Sequence, residues 1–206
     1  MTTSPFEADL SKAGPDRPRD VAIPAAARRI LLVGAPGGGK TTLARRLSAR
    51  LGVPWFELDA VIYEGGAGTK RPFAERLRLA REIASRPGWV AEGNYLWWAE
   101  ELYRAAELVV WLDLPWHVAL GRMITRHLTE SVKGTNRHPG LQKLARFIWP
   151  YRKYYFSREP DAPEGPQDDR AGNRAATALF LHTYADKLVR CRNQRDIEEL
   201  SKNLMA

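Results

Sequence analysis

Gly34-Ala35-Pro36-Gly37-Gly38-Gly39-Lys40-Thr41 has the form Gly-x-x-x-x-Gly-Lys-Thr, a pattern that cradles phosphate when it joins a strand to a helix. The spacing follows from the chemistry. Gly34, Gly37, Gly38 and Gly39 let the backbone curl so that several N–H groups converge on phosphate oxygens, and the positive end of the following helix adds to the attraction. Lys40 is then spaced to reach the β- and γ-phosphates of a nucleoside triphosphate and the Thr41 hydroxyl to ligate Mg2+, with Thr42 in the same turn. The flanks suit that reading. Arg29–Val33 (RILLV) is a short apolar run of strand length. Leu43, Leu47 and Leu51 then recur at i, i+4 and i+8, while Arg45, Arg46 and Arg50 fall elsewhere and Gly52 supplies a stop.

Further along, residues 55–59 read as a second strand, Trp89–Glu92 as a third, Leu108–Leu112 as a fourth and 188–192 as a fifth. Helical stretches lie between them: 72–86 opened by Pro72, Pro115 to about 128, 141–157 with Pro150 expected to kink or split it, and 175–185. A last helix starts near 194. Gly65, Gly66 and Gly68 mark a loop, and 158–172 a Pro/Asp/Gly loop. Strands alternating with helices after the loop at 34–41 predict a three-layer α/β P-loop NTPase fold, with a five-stranded parallel sheet and helices on both faces, and the basic aromatic stretch of about 126–157 reads as a small helical lid. Residues 1–27 read as a mobile tail and 28–206 as the domain. Ligands in such sheets sit beyond the carboxyl ends of the strands, which directs the search to 34–41, 57–63, 92–96, 113–126 and 192–195.

The net charge is +8, and residues 122–158 carry nine Lys/Arg against one acid, Glu130, which accounts for the whole excess. Basicity so confined fits a polyphosphate site at least as well as a nucleic-acid face. Cys191 is the only cysteine, so an internal disulfide is excluded, and it reads as a buried strand residue. No apolar run approaches the roughly 18 residues of a membrane span, and no signal core is present; a cytoplasmic location is expected.

A magnesium site also wants a carboxylate. Glu92 and Asp59, each expected at a strand end, are the first candidates. Asp113, ending the fourth strand, reads rather as a turn or N-cap residue.

With these residues placed, the chain over roughly 29–205 resembles the adenylate-kinase-like and shikimate-kinase-like small-molecule kinases. Glu92-Gly93 occupies the place of the Asp-Gly pair that helps hold the metal in adenylate kinases. Leu112-Asp113-Leu114-Pro115 is similar to the fourth-strand Leu-Asp-x-Pro, and Arg122 and Arg126 follow at the family's two arginine offsets. The resemblance implies that Arg122 lies on or near the base, that Arg126 reaches the phosphates, and that Asp59 can orient or deprotonate an acceptor hydroxyl. A narrower likeness, to the DNA topology modulation proteins, rests on Leu58-Asp59-Ala60, on Trp89-Val90-Ala91-Glu92-Gly93-Asn94-Tyr95 and on the basic aromatic stretch near 147–155; that group usually has Asp where Glu92 stands. Two positions depart from the adenylate-kinase pattern. Leu96 and Ile62 stand where acceptor-side arginines are found, which argues against a monophosphate acceptor unless Arg71, Arg76 or Arg78 replaces them. Tyr95, Trp97 and Trp98 offer an acceptor wall or simply core packing.

Other readings fare less well. Asn193-Gln194-Arg195-Asp196 looks faintly like a guanine-reading motif but reads better as a helix start with Asn193 as N-cap. The four histidines show no metal-ligand spacing. The expectation is therefore an Mg-ATP-dependent phosphotransferase acting on a small-molecule acceptor. Lys40, Thr41, Glu92, Asp59, Arg122 and Arg126 would form its site, and Arg137, Arg146 or Arg152 would contribute from the lid. The alternative is an ATP-binding regulatory protein that contacts DNA or RNA through the alternating bases and aromatics of 122–158.

Overall fold

The computed structural model describes residues 26–66, 68–134, 140–165, 167–168, 170 and 172–205. Five strands form one sheet: β1 (Arg29–Val33), β2 (Trp55–Glu57), β3 (Trp89–Glu92), β4 (Leu108–Leu112) and β5 (Leu188–Cys191). Their order is β2-β3-β1-β4-β5, and all four pairings are parallel, as the alternation of elements predicts. β1 is central, and its last four residues are buried because helices cover both faces.

The two faces are packed by alternate residues of the same strands. Leu31 and Val33 point into one layer with Ala91, Val109 and Trp111, and α3 (Phe73–Ala84), α4 (Glu100–Ala105) and α7 (Arg174–His182) close it. Ile30 and Leu32 point into the other with Val90, Leu108 and Val110, under α1 (Lys40–Leu51) and α8 (Gln194–Met205). Leu43 and Leu47 supply the buried stripe of α1, and Gly52 ends it in the left-handed conformation. The reading of α8 holds in detail. Asn193 Oδ1 accepts from the Asp196 N–H at 3.0 Å, while Asp196 Oδ2 accepts from the Arg192 and Asn193 N–H groups at 2.6 and 3.3 Å.

Several expectations need correction. The second strand stops at Glu57, and Asp59 lies in the first turn of α2 (Leu58–Ile62), not at a strand end. The reason is apolar spacing: Leu58, Val61 and Ile62, at i, i+3 and i+4, are all buried. α4 went unread, and α5 (Trp116–Val132) runs farther than expected. α6 (Leu141–Phe156) continues through Pro150 as one element instead of splitting. Residues 1–25 of the expected tail and Arg137 lie outside the described residues, whereas Ala27 is buried in the core. Cys191 is buried in β5, where desolvation pushes its thiol up to about 12. Among the described residues no helix is long and apolar enough to cross a membrane.

Candidate active site

The parallel register sets the ends of β1, β3 and β4 side by side, so three connections open on one edge of the sheet. From β1 the chain enters the loop 34–39 and then α1 at Lys40. Gly37 has φ 80°, and a Cβ there would sit 2.5 Å from the Ala119 carbonyl oxygen, so only glycine permits the loop to lie against α5. Gly39 caps α1 in the left-handed region, at φ 91°. Lys40 folds over the loop and donates from Nζ to the Ala35 carbonyl at 3.3 Å. Burial lowers its amine, with nearby Glu92 and Asp59 opposing the shift and Arg126 adding to it.

The end of β3 delivers Glu92, which is 7% exposed and accepts a 2.6 Å hydrogen bond from Thr41 Oγ1. Burial raises its carboxyl, partly offset by Lys40 and by the Thr41 hydroxyl. Thr41 and Glu92 thus present adjacent hard oxygen donors, which suit Mg2+. Among the described residues no cluster of three or more His, Cys, Asp or Glu could hold a metal, so the remaining ligands would be water and phosphate. Thr42 is exposed on the first turn of α1.

Asp59 accepts from the Tyr95 hydroxyl at 2.6 Å, which ties α2 to the segment after β3. Burial raises the Tyr151 phenol of α6; Asp59 adds to this and Arg126 opposes it. Arg126 is 61% exposed on its side chain and 4.0 Å from Glu130. Arg122 braces the loop from behind: Nη1 donates to the Gly38 carbonyl at 3.1 Å and Nη2 to Gln194 Oε1 at 2.8 Å. Arg146 and Arg152 are exposed, Arg152 over the Trp149 ring.

Asp113 is neither a turn nor a cap residue. Its side chain is fully buried and accepts from Arg174 at 2.7 and 2.8 Å and from Arg190 at 2.9 and 2.6 Å. The proposed stand-ins for the acceptor-side arginines are engaged elsewhere. Arg71 donates to the Ala60 carbonyl and pairs with Glu75, Arg76 is buried with its guanidinium over Phe73, and Arg78 pairs with Glu82. Leu96 and Ile62 are fully buried core residues. The aromatic trio divides: Trp98 packs in the core, Tyr95 holds Asp59, and Trp97 lines a cavity.

That cavity, of about 260 Å³, lies between Pro36 of the loop, Asn94 and Trp97 after β3, Tyr151 and Tyr154 of α6, and Asn173 before α7. Asn173 gave a faint signal as the polar residue ahead of an apolar-periodic helix, and it caps α7 through the Ala176 N–H at 2.8 Å. A larger cavity, about 420 Å³, runs along β2 past Trp55, Glu57 and Arg86 and touches no residue of the loop.

Residues 29–86 match the family model described as an AAA domain. The chain is 39% identical over 76 residues to a shikimate kinase of Thermobifida fusca, covering 31% of this chain and 44% of that one. Against a shikimate kinase of Rhodopseudomonas palustris it is 38% identical over 66 residues, covering 32% and 27%. It spans less than half the length of these curated relatives. The structure of a shikimate kinase from Acinetobacter baumannii in complex with shikimate superposes over 87% of this chain and 91% of that one, with a TM-score of 0.50 and 18% identity. The fold is that of the P-loop NTPases. The phosphate loop, the parallel order with β1 at its centre, and the helices on both faces all belong to that architecture.

Proposed function

We propose that the chain is a magnesium-ATP-dependent phosphotransferase that acts on the hydroxyl of a small-molecule acceptor. The observation that supports this reading is the 2.6 Å Thr41–Glu92 hydrogen bond beside the phosphate loop and its Lys40. The loop N–H groups and Lys40 bind the β- and γ-phosphates, and Arg126 adds positive charge above them. Magnesium, held by Thr41 and Glu92, would neutralise phosphate charge as it builds toward the leaving oxygen. Arg122 keeps the loop in shape and stands near the base. In the transfer, the acceptor oxygen bonds to the γ-phosphorus as the bond to the β,γ-bridging oxygen breaks and ADP leaves. The hydroxyl proton passes to Asp59, which Tyr95 holds in place, and from there to water. α6 excludes water from the phosphates, so that transfer outruns hydrolysis.

The test is Lys40→Ala, expected to lose ATP binding and turnover together; unchanged ATP affinity in that variant would sink the assignment. A second reading, contact with DNA or RNA through 122–158, draws on Trp149, which is 71% exposed beneath Arg152. The likeness to the topology modulation proteins belongs with either reading, since their name specifies no reaction.

A further inference from the structure

We infer that the phosphate acceptor is a small uncharged molecule, with a hydroxyl and a flat ring, seated in the cavity between Pro36, Asn94 and α6. This deepens, and rests on, the phosphotransferase reading. At about 260 Å³ the cavity is slightly smaller than the usual ligand sites, which run roughly 300–1,000 Å³. It holds one ring-sized molecule and not a second nucleotide. Its walls are flat: Trp97, Tyr151 and Tyr154, with Pro36 and Pro150.

Its buried amide, Asn94, asks for a donor and not for an anion. Asn94 is 8% exposed, and its Nδ2 donates to the Gly172 carbonyl at 3.4 Å, which fixes the amide. Asn94 Oδ1 then accepts nothing among the described residues, and a buried acceptor without a partner costs free energy until a ligand O–H or N–H reaches it. Among the described residues two cations line the cavity, and both have a carboxylate partner. Lys153 Nζ is 3.8 Å from Asp161, and Arg170 is 2.7 Å from Asp168 and 2.6 Å from Glu164. Ile62 and Leu96, buried in the core, add no charge. A phosphate or carboxylate on the acceptor would have to give up its water without gaining a free cation, and would face Asp161.

Matched pairs test this: a ribonucleoside against its 5′-monophosphate, and 4-(hydroxymethyl)benzamide against 4-(hydroxymethyl)benzoate. Acceptor-dependent ADP release is measured, with the product's phosphate counted by 31P NMR. The uncharged member of at least one pair should show kcat/KM at least tenfold above its anionic partner. Equal or better transfer to the anionic members overturns the inference, as does the absence of any uncharged acceptor for an enzyme that binds ATP. ATP binding is followed separately by calorimetry, and its absence overturns the phosphotransferase reading itself. Asn94→Leu should raise the acceptor KM about tenfold and leave the ATP KM unchanged. Asp161→Asn, which releases Lys153 yet still accepts from the Asn173 N–H, should move preference about tenfold toward the anionic member. An unmoved acceptor KM in the first variant, or unmoved preference in the second, counts against the assignment.

Discussion

Asp113 shows how far one carboxylate can reach. It leaves the end of β4 and receives Arg174 from α7 and Arg190 from β5, the latter also lying 4.2 Å over the Trp111 ring. The three side chains differ in access to water: Asp113 has none, Arg190 is 19% exposed and Arg174 43%. Removal of the carboxylate takes two hydrogen bonds from the poorly hydrated Arg190, whereas Arg174 can turn to water. Asp113→Ala should therefore cost about 3 kcal/mol, a Tm roughly 6–10 °C lower, while Arg174→Ala should cost under about 1 kcal/mol. Thermal melting of both variants checks the order, and equal losses would contradict it. The sequence could not show this role. A strand-end acid before Leu-Pro is locally a turn residue, and its partners stand 61 and 77 positions downstream. Lys40, Thr41 and Glu92 were readable for the opposite reason: loop and strand ends bring them together without help from distant, unpatterned residues.

At the scale of elements, apolar spacing carried most of the information and its ambiguities caused the misses. Five strands and the long helices were legible because their apolar positions repeat. α2 was absorbed into the strand before it, since five residues hold barely one helical turn of pattern, and α4 has only Leu102 and Tyr103 buried. The start of β1 depends on something no periodicity encodes. Glu107, between α4 and β4, accepts from the Arg28 and Arg29 N–H groups at 2.7 and 3.1 Å and pairs with the Arg29 guanidinium at 3.0 Å. Desolvation would raise its carboxyl, but those two N–H groups and the guanidinium outweigh it and hold the group below the usual carboxylate range. A carboxyl depressed in the folded state stabilises the fold above its unfolded value, near 4.3, and that contribution is lost as the pH falls through the folded value. Glu107→Gln should cost about 1 kcal/mol at pH 7, after allowance for screening of a side chain 35% exposed. The difference from wild type should be flat above about pH 5 and close below about pH 4. Urea denaturation at pH 7, 5 and 3 measures it, and a difference that persists at pH 3 would exclude the carboxylate as its source.

Across the whole molecule, the proposed donor half of the site follows from local pattern and the proposed acceptor half from tertiary assembly. The phosphate loop is contiguous, whereas the 260 Å³ cavity draws on residues from Pro36 to Asn173. The same assembly changes what the basic segment 122–158 offers. Read linearly, it alternates bases and aromatics as a stacking strip would. Folded, Arg122 is bound to Gly38 and Gln194, Lys153 lies near Asp161, Tyr154 is buried, and Tyr155 and Phe156 pack at 5.1 and 6.2 Å from the Trp116 ring. Trp149 with Arg152 keeps the arrangement a stacked base needs. A strip that keeps its exposed bases but few exposed rings should bind single-stranded DNA no more tightly than the non-specific range, roughly 10⁻⁴ to 10⁻⁶ M at physiological salt, and with a salt slope of fewer than about six phosphates. ATP turnover with a small acceptor should need no nucleic acid at all. Fluorescence anisotropy with a labelled oligonucleotide between 50 and 200 mM salt, on the order of the range that separates the cases, gives both numbers. Sub-micromolar binding, a slope of six or more phosphates, or turnover that appears only with DNA would transfer the proposed role of this segment from the phosphates of ATP to those of a nucleic acid.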